Sequence, residues 1–123
     1  MRKFGPYAVF LTKGIVLLAL TSQAHAANED ARERAAARKA CLSGDVQKGM
    51  EILSDLFVRT ENPVHIYNQG RCLEQNGRCE EAINRFREYL RKAKISAEER
   101  SEAEKHIADC QALLGQALPQ ALP

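Results

Sequence analysis

The stretch from Asn62 to Lys94, NPVHIYNQGRCLEQNGRCEEAINRFREYLRKAK, constrains the fold more than any other. It predicts two amphipathic helices joined by a tight turn at Gly77. Asn62 can cap the first helix, because its side chain can accept a bond from an unpaired amide of the first turn. Pro63 then falls at the first helical position, where a missing N–H costs nothing. Ile66, Gly70 and Leu73 recur at +4 and +3 and so share a face. Asn76-Gly77 ends the helix, since glycine takes the left-handed conformation that a helix C-terminus favours. The second helix opens on Glu80 and Glu81 and closes on Arg91, Lys92 and Lys94, complementing the helix dipole at both ends. Ala82, Ile83, Phe86, Tyr89 and Leu90 form its apolar stripe. Neither helix can bury its stripe alone, so each needs a neighbour.

Within this hairpin, Ile66-x2-Gln69-Gly70-x2-Leu73 is followed by Ala82-x3-Phe86. The pattern resembles the tetratricopeptide repeat, W-x2-L-G-x2-Y followed by A-x3-F and P. Gly70, Ala82 and Phe86 hold its spacing. Trp is replaced by Ile66, Leu by Gln69 and Tyr by Leu73, and no proline stands near Lys94. Gly70 and Ala82 resemble the small positions at which paired helices cross closely. The resemblance implies an all-α fold: a right-handed antiparallel stack of helix hairpins, a TPR-like α-solenoid of about two and a half repeats.

The flanking segments extend the pattern. Asn28 to Ser43 is rich in Ala, Arg and Glu and predicts a helix that stops at Gly44-Asp45. Lys48 to Val58 predicts another, with Met50, Leu53, Leu56 and Phe57 on one face. Gly44 and Gly77 are 33 residues apart, close to the family's period of about 34, and Gly49 stands where Ala82 does. Asp30 to Asn62 therefore resembles a degenerate first repeat. Ser96-Ala97-Glu98-Glu99 is a capping box. It starts a segment ending near Gly115, with Ala103, Ile107, Cys110 and Leu114 along one side, as a terminal capping helix requires. That makes five helices in residues 27–115. The closing QALPQALP, residues 116–123, predicts a disordered tail.

Residues 1–26 read as a cleavable signal peptide. Arg2, Lys3 and Lys13 lead, Gly14 to Leu20 is a short apolar core, and Ala24-His25-Ala26 places the cut before Ala27. The apolar core is far shorter than the roughly 20 residues that span a bilayer. The expected destination is a periplasm or the outside of the cell. Removing the leader, which carries three Lys or Arg and no acid, leaves 97 residues with 15 basic and 16 acidic side chains. That balance gives no basic face for nucleic acid, and the processed chain has no membrane span.

Cys41, Cys72, Cys79 and Cys110 all lie in the processed part, an even number in an oxidising compartment. A small domain with a thin core is where disulfides are used. Four cysteines permit three pairings. The repeat resemblance implies Cys41–Cys72, because first helices of successive repeats lie side by side. It also implies Cys79–Cys110, because the last segment runs antiparallel to Glu80–Leu90. The alternative joins Cys72 to Cys79 across the turn.

Catalytic chemistry finds no support. Redox enzymes use Cys-x-x-Cys, which is absent. Only His65 and His106 survive processing, and neither has a nucleophile context. His106 and Cys110, at i and i+4, are the sharpest metal candidates, but His106 reads as a surface residue flanking the stripe. The expectation is a non-enzyme with no cofactor and no metal. The family resemblance implies a peptide groove lined by first helices. The residues that fall there are Arg34, Arg38, Tyr67, Asn68, Arg71 and Glu74, with Arg34, Arg38 and Asn68 resembling a carboxylate-clamp end. Glu98 and Glu102 fall where such a clamp needs cations. The expected function is an exported interaction or scaffold module for a peptide or protein. The rival is a metal- or thiol-handling protein using the four cysteines directly.

Overall fold

A computed structural model of the chain describes residues 8–117, with side chains from Leu20 onward. Among the described residues there are five α-helices and no strand: α1 (Ala8–Leu42), α2 (Val46–Thr60), α3 (Val64–Gln75), α4 (Cys79–Lys92) and α5 (Ala97–Ala117). The chain divides after Arg32 into two units. The first holds the N-terminal part of α1, whose described side chains are nearly all exposed. The second, from Glu33 onward, holds the end of α1 and helices α2 to α5.

One boundary departs clearly from expectation. The helix expected to begin at Asn28 begins at Ala8. The reason is local: no Gly or Pro interrupts residues 15–42, and alanine carries the highest helix propensity. The leader expected over residues 1–26 lies largely outside the described side chains. Of the expected tail, residues 116–117 belong to α5 and residues 118–123 lie outside the described residues.

The turns form where glycine and short polar side chains permit them. Gly44 and Gly77 both sit at positive φ, +87° and +75°, a region that costs a residue with a Cβ. Asp45 Oδ1 accepts the Lys48 amide at 3.2 Å and caps α2. Asn62 Oδ1 accepts the Val64 amide at 3.0 Å and opens α3. Ser96 Oγ accepts the Glu99 amide, while the Ser96 amide donates back to Glu99 Oε2 at 2.7 Å. The capping box is thus closed in both directions.

Within the second unit α2 packs on α3, α3 on α4, and α4 on α5. The core follows the apolar stripes: Leu53, Leu56, Ile66, Leu73, Ile83, Phe86 and Tyr89 are all buried. Small residues set how closely the helices approach. Ala37, Gly70 and Ala103 are each 33 residues apart and all buried. A Cβ on Gly70 would come within 2.8 Å of the Phe86 ring. A Cβ on Gly49 would overlap Cys41 Sγ and approach Cys72 Sγ to 3.1 Å.

Two disulfides join the helices, Cys41–Cys72 and Cys79–Cys110, the pairing that the repeat resemblance implies. Their Cα atoms are 5.2 and 5.1 Å apart, and each bridge spans 31 residues of chain. All four cysteines are buried. The first bridge ties the end of α1 to the end of α3. There Asn76 Nδ2 donates to the carbonyls of Cys41 at 3.0 Å and Cys72 at 2.7 Å. The second ties the start of α4 to the middle of α5. Loops of this length imply about 3–4 kcal/mol of stabilisation each in the chain-entropy description.

Candidate functional site

The six residues expected to line a groove separate into two groups. Arg34 and Arg38 on α1 are exposed, and Asn68 on α3 is half-buried. Tyr67, Arg71 and Glu74 turn instead toward α5 and form a polar seam with it. These three were expected to point away from the apolar stripe. The correction has a simple cause. The face of α3 next to its stripe is covered by α4 and α5, so long side chains there meet protein before solvent.

Tyr67 opens the seam from the core side. Its ring packs edge-on against Phe86 at 5.5 Å between centroids and lies 5.3 Å from Tyr89. Its hydroxyl donates to Glu102 Oε1 at 2.8 Å. Burial, and then the bond to the Glu102 carboxylate, push the Tyr67 hydroxyl well above the ordinary tyrosine range. Both act against the phenolate. Glu102 thus serves as an acceptor at the solvent-facing edge of the seam.

One turn further along, His106 of α5 stacks on Phe86, ring centroids 5.3 Å apart and planes 14° from parallel. Its side chain is only 14% exposed, so the expectation of a surface histidine is corrected. His106 Nδ1 lies 2.9 Å from Glu74 Oε1 and 3.0 Å from Arg71 Nη1. Arg71 also pairs with the second oxygen of Glu74. The imidazole nitrogen therefore faces one acceptor and one donor. It bonds to Glu74 when protonated and to Arg71 when not. Sequence reasoning did not place His106 against the core. The signal was present: 33 residues before it stands Leu73, a core position.

The metal pairing of His106 with Cys110 does not form, because Cys110 is bonded to Cys79. Glu74, His106 and Asp109 do bring three donor atoms within 4.8 Å of one another. Two cations already serve them. Arg71 holds Glu74 and His106, and Lys105 Nζ pairs with Asp109 Oδ2 at 2.6 Å. That pair raises the lysine pKa and lowers that of the aspartate. The seam is an ion-paired junction between α3 and α5.

A second concavity lies between α2 and α4. It is open to solvent, holds about 630 Å³ and is floored by Met50 and Leu73. Its α2 wall carries Gln47, Glu51, Ser54 and Asp55, and its α4 side carries Arg78 and Glu81. Gln69, an apolar position in the repeat pattern, is buried beneath this wall and donates to Ser54 Oγ at 3.0 Å. No helix among the described residues is long and apolar enough to cross a membrane. Comparison with protein-family models, with curated proteins and with solved structures found no match.

Proposed function

We propose that the chain is an exported, non-catalytic interaction module, a right-handed TPR-like α-solenoid that holds a peptide or protein partner. The observation that carries this reading is the placement of Arg38 and Asn68. Each stands about one helical turn before a half-cystine of the same bridge, Cys41–Cys72. Arg34 lies one further turn up the same face of α1. A disulfide between matching helix ends supports a shared polar surface of Arg34, Arg38 and Asn68. Such a surface suits a carboxylate or another anionic group on the partner. Tyr67, Arg71 and Glu74 support the surface from the seam rather than line it. The two disulfides suggest an oxidising compartment, which agrees with export to a periplasm or beyond.

The test is cross-linking capture from the native envelope with the wild type and with the double variant Arg34→Glu, Arg38→Glu. Both arginines are exposed, so the melting temperature should stay within a degree or two. Captured partner should fall at least tenfold. Equal capture by the variant would remove this surface from the partner site.

The rival reading, metal or thiol handling by the four cysteines, requires reduced sulfurs, and in this fold each sulfur is bonded to another. Native mass spectrometry of the secreted protein decides between them. The interaction reading expects a mass four protons below the reduced chain. Bound zinc or copper with four free thiols favours the rival.

A further inference from the structure

The concavity between α2 and α4 shares no residue with the surface proposed above. Its α2 wall is one helical face, with Gln47, Glu51, Ser54 and Asp55 at i, i+4, i+7 and i+8. Its three carboxylates differ in how they are compensated. Glu81 is held by Arg78 through a bidentate pair, Nε to Oε1 at 2.7 Å and Nη2 to Oε2 at 2.6 Å. Arg78 and Arg85 together lower its pKa. Glu51 accepts only the neutral amide of Gln47, at 3.1 Å. Asp55 has no ion pair or hydrogen bond among the described residues. The nearest arginine on its own helix, Arg59, is engaged with Glu33 on α1.

Two uncompensated carboxylates therefore stand one turn apart, about 6 Å along the helix, above an apolar floor. The floor is half-buried Met50 and fully buried Leu73. Methionine is the side chain that best reshapes around varied apolar groups.

From this we infer that the α2–α4 groove docks a cationic amphipathic peptide segment. The groove takes two basic side chains about one helical turn apart, paired with Glu51 and Asp55. An apolar side chain between them enters the floor against Met50 and Leu73. Charge complementarity selects the occupant. An anionic segment would face Glu51 and Asp55 with like charge, and a purely apolar one would leave them buried and unpaired.

The experiment uses the full secreted chain with methyl-labelled methionine. Met50 is the only methionine beyond the initiator, so its methyl is a single resolved reporter at the groove floor. The probes are three synthetic 12-residue peptides. One carries Lys pairs at i, i+4 flanking a Leu, one carries Glu in place of Lys, and one carries Ser in place of Leu. The expected result is saturable binding of the first peptide with a shift of the Met50 methyl. Binding should weaken at least tenfold in Glu51→Lys, Asp55→Lys, and the other two peptides should bind at least tenfold more weakly. Arg34→Glu, Arg38→Glu should bind the first peptide like the wild type, which separates this site from the surface proposed above. Absence of binding, or binding without movement of the Met50 methyl, overturns the proposal. So does equal binding of the Ser peptide, which would make the attraction merely electrostatic. A Met50 shift that grows with protein concentration and no peptide assigns the groove to a second copy of the chain and also overturns it.

Discussion

At the scale of single residues, the packing is governed by what is missing at Gly70. Phe86 is fully buried and its ring fills the space a Cβ would need, at 2.8–2.9 Å. The ring cannot retreat, because Tyr67 packs against one side of it and His106 stacks on it. Overpacking of this kind costs about 1–3 kcal/mol, so Gly70→Ala should lower the midpoint of urea unfolding accordingly. Gly70→Ala paired with Phe86→Leu should recover part of the loss. Tyr67 gives a second test, of pH dependence. Its hydroxyl must keep its proton to donate to Glu102, and its pKa in the fold stands above the value of about 10 in an unfolded chain. The stabilisation is therefore complete below pH 10 and is lost as pH rises from there toward the folded value. Rapid thermal scans of wild type and Tyr67→Phe should differ by a constant amount from pH 6 to 9. The difference should shrink above pH 10. Tyr89, also pushed upward by burial, is common to both proteins and cancels.

At the scale of helices, several boundaries within the second unit rest on one local device, and α5 has the clearest. Its capping box satisfies two amides, one through Ser96 Oγ and one through Glu99. Ser96→Ala should cost about 1 kcal/mol. For a domain of this size that is roughly 4–8 °C in melting temperature, read by calorimetry. Glu99→Gln should lose less, since the amide oxygen can still accept. Devices of this kind are legible in a sequence because they act within four residues. The same locality explains the error at the start of α1. Nothing between residues 15 and 42 breaks a helix, and the expected boundary at Asn28 had no stop signal on its N-terminal side. The long-range seam was less legible. A stripe drawn through apolar residues passes over His106, although its register 33 residues after Leu73 sets it against the core, stacked on Phe86. Tyr67, Arg71 and Glu74 were identifiable as a polar face of α3. That α5 would cover them depends on how the last helix crosses, which spacing along α3 does not encode. Asn76 was legible as a helix stop but not as the donor that links the Cys41 and Cys72 carbonyls.

At the scale of the molecule, the main helix packing within the second unit pairs neighbours in sequence, the α3–α5 seam and the α1–α3 bridge reach past a neighbour, and the two disulfides divide the labour of holding the helices. Cys41–Cys72 bridges α1 to α3, and Cys79–Cys110 bridges α4 to α5. If stability here is close to a sum of neighbour terms, the ends open before the middle. The two bridges enclose equal lengths of chain, 31 residues each, and loop entropy alone would make their removal equally costly, about 3–4 kcal/mol. The distribution of that cost should nevertheless differ. Besides its bridge, α5 is held by Ala103 in the core and by the polar seam, and most of its remaining side chains are exposed. Cys79→Ala, Cys110→Ala should therefore raise amide exchange along α5 to near-local rates while α3 and α4 keep most of their protection. Removing Cys41 and Cys72 together should expose Gly49 and the α1 end first, because the Gly49 backbone packs directly on that bridge. Residue-resolved hydrogen exchange distinguishes these patterns. A uniform loss of protection across α2 to α5 in both variants would mean one indivisible cooperative core, and the neighbour description would have to be given up.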